Sequence, residues 1–204
     1  MTSLLIATRN QNKLNEIRNI LSSFTVTIFS LDDLGDPIPD VIEDRKTFKE
    51  NALKKAFLIA SRTNYLTLAE DSGLCIDFLH GEPGVFSARF SGFGKDDRKN
   101  RLKVLTLMNN VTDEERKARF VCAVALATPQ KVIGLVEGMC EGYITHKEIG
   151  NNGFGYDPIF YYPPLKKTFG ELRLEEKNKV SHRFRAMNMI KSILDDYLKC
   201  NKNP

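Results

Sequence analysis

The chain has 204 residues, of which 42% are hydrophobic, 27% charged and 9% aromatic, with 13 Gly and 8 Pro, a composition that excludes a disordered, collagenous or fibrous protein. A balance of 30 basic and 26 acidic residues leaves a net charge of +4; because Lys95, Asp96, Asp97 and Arg98 interleave their signs, the surplus reads as a solvated surface rather than a face for a polyanion. Cys75, Cys122, Cys140 and Cys200 show no CxxC spacing, which argues against a zinc site or a disulfide framework and suits a reducing compartment.

Leu4, Leu5, Ile6 and Ala7 form an apolar run of strand length, and Thr8, Arg9, Asn10, Gln11 and Asn12 separate it from Leu14, Ile17, Ile20 and Leu21 at helical spacing. The pattern predicts strand, loop, helix. With no basic leader before this run, and no segment near the roughly 18 apolar residues of a membrane span, a cytoplasmic protein without a membrane partner is expected. Val26, Ile28 and Leu31 predict a second strand, which Gly35, Asp36, Pro37 and Pro39 break into an acidic loop carrying Asp40, Glu43 and Asp44. Thr47 and Glu50 form a capping box that opens a helix bearing Phe48, Ala52, Ala56, Ile59 and Ala60.

A strand over 65–69 then ends at Glu70 and Asp71, where Ser72 and Gly73 predict a sharp turn before the apolar run from Leu74. Farther on, a helix is expected over 101–108 and strands over 120–127 and 132–136. A glycine loop over 150–155 leads into Tyr156, Asp157 and Pro158, and Ser181 caps a last helix that buries Phe184, Met187, Ile190, Leu194 and Leu198. Helices and strands alternate without a hinge or repeat, which predicts a single α/β domain over 1–204.

Four clusters carry chemistry. The loop 8–13 lies where α/β proteins present backbone amides to phosphate, and adds the Thr8 hydroxyl, the Asn10 amide and the Lys13 charge. It lacks the glycine framework of a P-loop, and taken alone it reads more readily as a capped helix with an exposed lysine. Glu70 and Asp71 suit Mg²⁺ binding or the orientation of water, though an Asp-Ser-Gly turn needs the same residues; Glu43 is a second candidate metal carboxylate. Phe154, Gly155, Tyr156 and Asp157 pair aromatic surface with a backbone that lets a flat ligand approach, or pack on themselves as a turn. Finally, Lys177, His182 and Arg183 bring donors to the start of the last helix, where cations oppose the helix dipole and an acceptor-rich ligand would compensate.

Taken in order, ATRNQNK at 7–13, TFKENALKKA at 47–56, AEDSGL at 69–74, GEPGVFSARFSG at 81–92, NGFGYDPIF at 152–160 and EEKNKVSHRFRA at 175–186 resemble the inosine triphosphate pyrophosphatase family nearly end to end. The resemblance implies hydrolysis of non-standard purine nucleoside triphosphates (ITP, dITP, XTP) to the monophosphate and pyrophosphate, which keeps them out of DNA and RNA. It also implies an elongated α/β unit whose central mixed sheet and two lobes enclose an active-site cleft, with Mg²⁺ as cofactor and a homodimer as the assembly. Carried over residue by residue, it makes Thr8, Arg9, Asn10, Gln11, Asn12 and Lys13 the triphosphate loop. Asp71 becomes general base and, with Glu43, metal ligand, and Ser72 touches substrate. Phe154, Gly155, Tyr156, Asp157, Lys177, His182 and Arg183 become the nucleotide pocket, the last two reading the purine edge. Two departures stand out: Asp44, Arg45 and Lys46 replace a Thr-Gly common in relatives, and Arg9 occupies a position that is often Gly.

The implied selectivity has a physical basis. Inosine and xanthine present an O6 acceptor where adenine presents an amino donor, so protein donors there favour the oxo-purines and are left unpaired by adenine. Lys13 and Lys177 are the expected phosphate clamps. A Maf-like pyrophosphatase would lack the SHR and FGYD motifs, and a nucleic-acid-binding protein would need a clustered basic face; no stable nucleic-acid partner is expected.

Overall fold

The computed structural model describes residues 3–200 except 23, 25, 36, 37 and 93; Asp36 and Pro37, part of the expected loop break, lie outside the described residues. The elements are β1 (Ser3–Ile6), α1 (Gln11–Ile20), β2 (Thr27–Ser30), α2 (Phe48–Thr63), β3 (Leu66–Ile76), α3 (Asp97–Leu107), β4 (Lys117–Ala127), β5 (Val132–Ile144), β6 (Phe160–Tyr162), β7 (Lys167–Thr168), α4 (Leu174–Lys177) and α5 (His182–Cys200). Local chemistry starts the helices as expected. Asn10 caps α1 by accepting the Lys13 N–H at 3.1 Å, and the Thr47 hydroxyl accepts the Glu50 N–H at 3.2 Å while Glu50 reaches back to the Thr47 N–H.

The strands form one mixed sheet in the order β2-β1-β3-β4-β5-β6-β7. β1 pairs in parallel with both β2 and β3, while β5, β6 and β7 pair antiparallel. The step from β1 to β2 and the step from β2 to β3 cross the sheet in opposite directions. Right-handed crossovers therefore place α1 on one face and α2 on the other.

The expected turn at Asp71, Ser72 and Gly73 does not form. β3 runs through all three residues, and every β3 residue except Ser72 is buried. The turn signal lost to pairing, because a central strand covered on both faces gains more from its ladder and its packing than from a local Asx bond. Neighbouring residues of a strand project to opposite faces, so Glu70 and Asp71 look into different halves of the sandwich of helices.

The described residues divide into two compact units, one within 1–71, 122–138 and 183–204, the other within 72–121 and 139–182. The first is cored by Leu4, Ile6, Leu14, Ile17, Val124, Met187, Ile190 and Leu194. The second is aromatic: Phe120 lies 4.6 Å from Phe160 and stacks on Phe169 at 5.9 Å between ring centres. There the buried Arg116 guanidinium donates to the carbonyls of Met108 (2.6 Å), Val111 (3.2 Å), Ile144 (2.6 Å) and Thr145 (2.8 Å), fastening strand ends without a carboxylate partner in those bonds. Among the described residues no helix is long and apolar enough to cross a membrane.

Candidate functional site

In the first unit a buried charge cluster is built on β3. Lys13, brought in by α1, forms an ion pair with Glu70 at 2.7 Å, and Arg183, at the first turn of α5, donates to Glu70 at 3.2 and 3.3 Å and also to Glu16. The Cys122 thiol on β4 donates to the same carboxylate at 3.1 Å. Burial works against the charge on Glu70, but Arg183 and Lys13 outweigh it and hold the acid well below the usual carboxylate range. Burial, and then the Glu70 charge, push the Cys122 thiol well up, so it stays a neutral donor.

Asp71 experiences the opposite balance. It is buried, and the Asn51 amide of α2 donates to its Oδ2 at 2.9 Å. Burial and then the nearby Glu43 charge raise its pKa to about 6, with Lys13, Lys55 and Asn51 only partly offsetting them. Glu43 itself is ion-paired to Lys55, one helical turn beyond Asn51 on α2. The Asn51 Oδ1 accepts the Arg45 N–H at 2.9 Å, which ties the acidic loop to the same helix. Two adjacent acids thus end in opposite states: Glu70 fully neutralised by cations, Asp71 poised to take a proton near neutrality.

The remaining residues of the 8–13 loop divide between capping and anchoring. Thr8 accepts the Asn10 N–H at 3.2 Å, and Gln11 donates to Asp32 at 3.2 Å. Arg9 donates to Asp32 (2.7 Å), Asp40 (3.0 Å) and the Ile38 carbonyl (2.6 Å), so it clips the acidic loop to the start of α1. Asn12 is exposed on the first turn of α1.

In the second unit the FGYD segment is organised around Asp157. Its Oδ2 accepts the Phe154 N–H at 2.9 Å and the Lys177 ammonium at 2.6 Å, and that ammonium sits 4.7 Å from the centre of the Phe154 ring. Gly153 has φ +72, and a Cβ there would lie 2.0 Å from Asp157 Oδ2, so only glycine fits. The Tyr156 hydroxyl donates to the Ser87 carbonyl at 2.7 Å. His182 stacks on Phe120 at 4.7 Å with the planes 11° apart, and Ser72 is half-buried where β3 continues into this unit.

The structure brings Lys13 and Asp71 into one charged cluster and Lys177 onto the FGYD residues, and it gives three of the sequence candidates further duties. Lys177 is buried in an ion pair with Asp157, Arg183 is held between Glu16 and Glu70, and Arg9 is an anchor for the acidic loop. Sequence reasoning missed Asn51, Lys55, Glu16 and Cys122. For Asn51 a signal existed: it falls on the buried face of α2 beside Phe48 and Ala52, where an amide needs a specific partner.

Over residues 4–193 the sequence matches the model of the Ham1 family. The chain belongs to the Ham1 family. It is 42% identical over 205 residues to the dITP/XTP pyrophosphatase of Clostridium perfringens, covering 98% of this chain and 100% of that protein. It is 48% identical over 195 residues to the dITP/XTP pyrophosphatase of Halalkalibacterium halodurans, covering 96% and 100%. Among solved structures, the Ham1 protein of Staphylococcus aureus superposes with a TM-score of 0.85 at 38% identity, covering 96% of this chain and 100% of that one. A nucleoside-triphosphatase / dITP/XTP pyrophosphatase of Mycobacterium abscessus gives 0.75 at 42% identity, covering 93% and 98%.

Proposed function

We propose that this member of the Ham1 family hydrolyses non-standard purine nucleoside triphosphates, ITP, dITP and XTP, to the nucleoside monophosphate and pyrophosphate. The observation that carries the reading is Asp71, a buried acid raised to about 6 beside Glu43 and among the charges of Lys13 and Lys55, in a chain of which relatives named dITP/XTP pyrophosphatase are 42 to 48% identical over their full length. A base with a pKa near the working pH accepts a proton efficiently from water, and lysines preset around the leaving group stabilise the charge that builds on pyrophosphate.

In this reading Asp71 takes the proton from the attacking water and Asn51 fixes the orientation of its carboxylate. Thr8, Arg9, Asn10, Gln11, Asn12 and Lys13 form the triphosphate loop, Lys13 and Lys55 facing phosphate oxygens. Mg²⁺ suits the donor set. Asp71 and Glu43 are hard oxygen donors whose mutual repulsion raises Asp71, and Mg²⁺ is ordinarily held by one or two carboxylates plus substrate phosphates rather than by a full protein cage. Consistent with that mode, no group of three or more His, Cys, Asp or Glu converges among the described residues. When bound, the ion supplies charge neutralisation on the phosphates. Glu70, committed to Lys13 and Arg183, is the less suitable ligand.

On the base side, Phe154, Gly155, Tyr156 and Asp157 offer the stacking surface, and Ser72, Lys177 and His182 complete the substrate-binding set; Arg183, buried between Glu16 and Glu70, serves it through that clamp rather than by touching the base. A homodimer in the cytoplasm completes the proposal; the exposed Phe78 and Phe86 give apolar surface that a second copy could cover. The test is steady-state pyrophosphate release from ITP, dITP, XTP, ATP and GTP with and without Mg²⁺. The expected outcome is Mg²⁺-dependent turnover with kcat/KM for the oxo-purines ITP and XTP at least about a hundred-fold above ATP; equal turnover of all five triphosphates would contradict the proposal.

A further inference from the structure

α3 carries two charged side chains that grip the two peptide units flanking one residue of the FGYD segment, Gly155. Asp97 and Arg101 stand four residues apart on one face of α3. The Gly155 N–H donates to Asp97 Oδ2 at 2.8 Å, and the Gly155 carbonyl accepts from Arg101 Nη1 at 2.8 Å. Both polar groups of one residue are thereby fixed from the same helix. The guanidinium is in turn held in plane by Glu148, through Nε at 3.0 Å and Nη2 at 3.3 Å, a fork that leaves Nη1 aimed at the loop. The Arg101 side chain is 14% exposed and that of Glu148 36%, so solvent reaches the fork from the Glu148 side and screens it in part.

The gripped residue is the one with the greatest freedom. Gly155 has φ +60 and open space around the position of a Cβ, so neither sterics nor packing of its own fixes its backbone. Its neighbours on either side are Phe154, whose ring lies under the Lys177 ammonium, and Tyr156, anchored on Ser87. A rotation of the Gly155 peptide would swing the Phe154 ring while the Tyr156 anchor stayed in place.

We propose that Asp97 and Arg101 are positioning residues for base selection: without touching the nucleotide, they lock the backbone on both sides of Gly155 and so set the Phe154 ring that the purine meets. The inference rests on the proposed role of the FGYD segment. Its energetic logic is preorganisation, in which a loop already held in the binding geometry spares the ligand the cost of ordering it.

Pyrophosphate release is measured on ITP, XTP and ATP with the wild-type full chain, Arg101→Ala, Arg101→Lys, Asp97→Ala, Phe154→Ala and the Arg101→Ala/Phe154→Ala double variant. Arg101→Ala should raise KM for ITP about five- to twenty-fold with kcat little changed, and should narrow the ITP to ATP ratio of kcat/KM. Arg101→Lys should restore part of the loss through its single donor nitrogen, and Asp97→Ala, which removes the acceptor of the Gly155 N–H, should raise KM for ITP in the same direction as Arg101→Ala. In the Phe154→Ala background the Arg101→Ala effect should vanish, because the two act through one ring.

An unchanged KM and ratio in Arg101→Ala, or equal losses with and without Phe154, would overturn the positioning role even if thermal stability falls. If Arg101→Ala does not fold, Arg101→Lys alone and combined with Phe154→Ala gives the same decision. Wild-type protein inactive on ITP and XTP would instead overturn the functional reading, and this inference with it.

Discussion

Asp71 is the residue on which chemistry and stability pull in opposite directions. Its pKa rises from an ordinary 3.8 to about 6 in the folded chain because burial and Glu43 disfavour its charge. A raised carboxylate pKa means the folded state holds the proton more tightly than the unfolded state, so wild-type protein loses stability as pH climbs from about 4 through 6 and stays at that deficit above it. Asp71→Asn cannot ionise and keeps an oxygen for the Asn51 amide. In chelator, the variant should match wild type near pH 4 and exceed it above pH 7 by about 2 kcal/mol, measured by urea unfolding at each pH. The same variant should lose nearly all turnover at saturating Mg²⁺. A variant that is active, or no more stable than wild type at pH 7, would show that Asp71 is neither the strained acid nor the base. Glu70 differs by one position in sequence yet is stabilised as an anion by Arg183 and Lys13; nothing in the dipeptide foretold which acid would be neutralised, since that depends on the face each side chain takes.

Among the elements, the start of α2 was legible because its chemistry is local: the Thr47 and Glu50 pair caps the helix it was expected to cap, while Asn10, read as an amide for phosphate, also caps α1. β3 was not, because Asp-Ser-Gly is a turn signal that a central strand overrode. The pairing of short β6 with β5 and the aromatic stacking around Phe120 depend on contacts between residues far apart in sequence, which no window of neighbouring residues reports. The 150–157 segment shows how strictly tertiary contacts can fix a residue type. Gly153→Ala must adopt φ +72 and place a methyl 2.0 Å from Asp157 Oδ2, displacing the acid from both Phe154 and Lys177. A buried ion pair broken from one side costs about 3 to 5 kcal/mol, so the variant should unfold at markedly lower denaturant and bind oxo-purine triphosphates weakly. Wild-type stability and KM together would show that Asp157 and Lys177 do not organise the loop.

At the scale of the whole molecule, the six ordered motifs pointed to the family from sequence alone, and the full-length match bears that out. Two lobes were implied only by the resemblance; no local signal in the sequence marks where the two compact units divide. The chain passes between them inside β3, β4 and β5 and between His182 and Arg183, so no proline, glycine or charged linker marks the boundary. The central claim is that water attacks the α-phosphorus and pyrophosphate leaves intact. Hydrolysis of ITP by the wild-type protein in water enriched in heavy oxygen, followed by mass analysis of both products, tests it directly. The account predicts the heavy oxygen in the phosphate of inosine monophosphate and none in pyrophosphate; label in pyrophosphate, or orthophosphate as the first product, would contradict it.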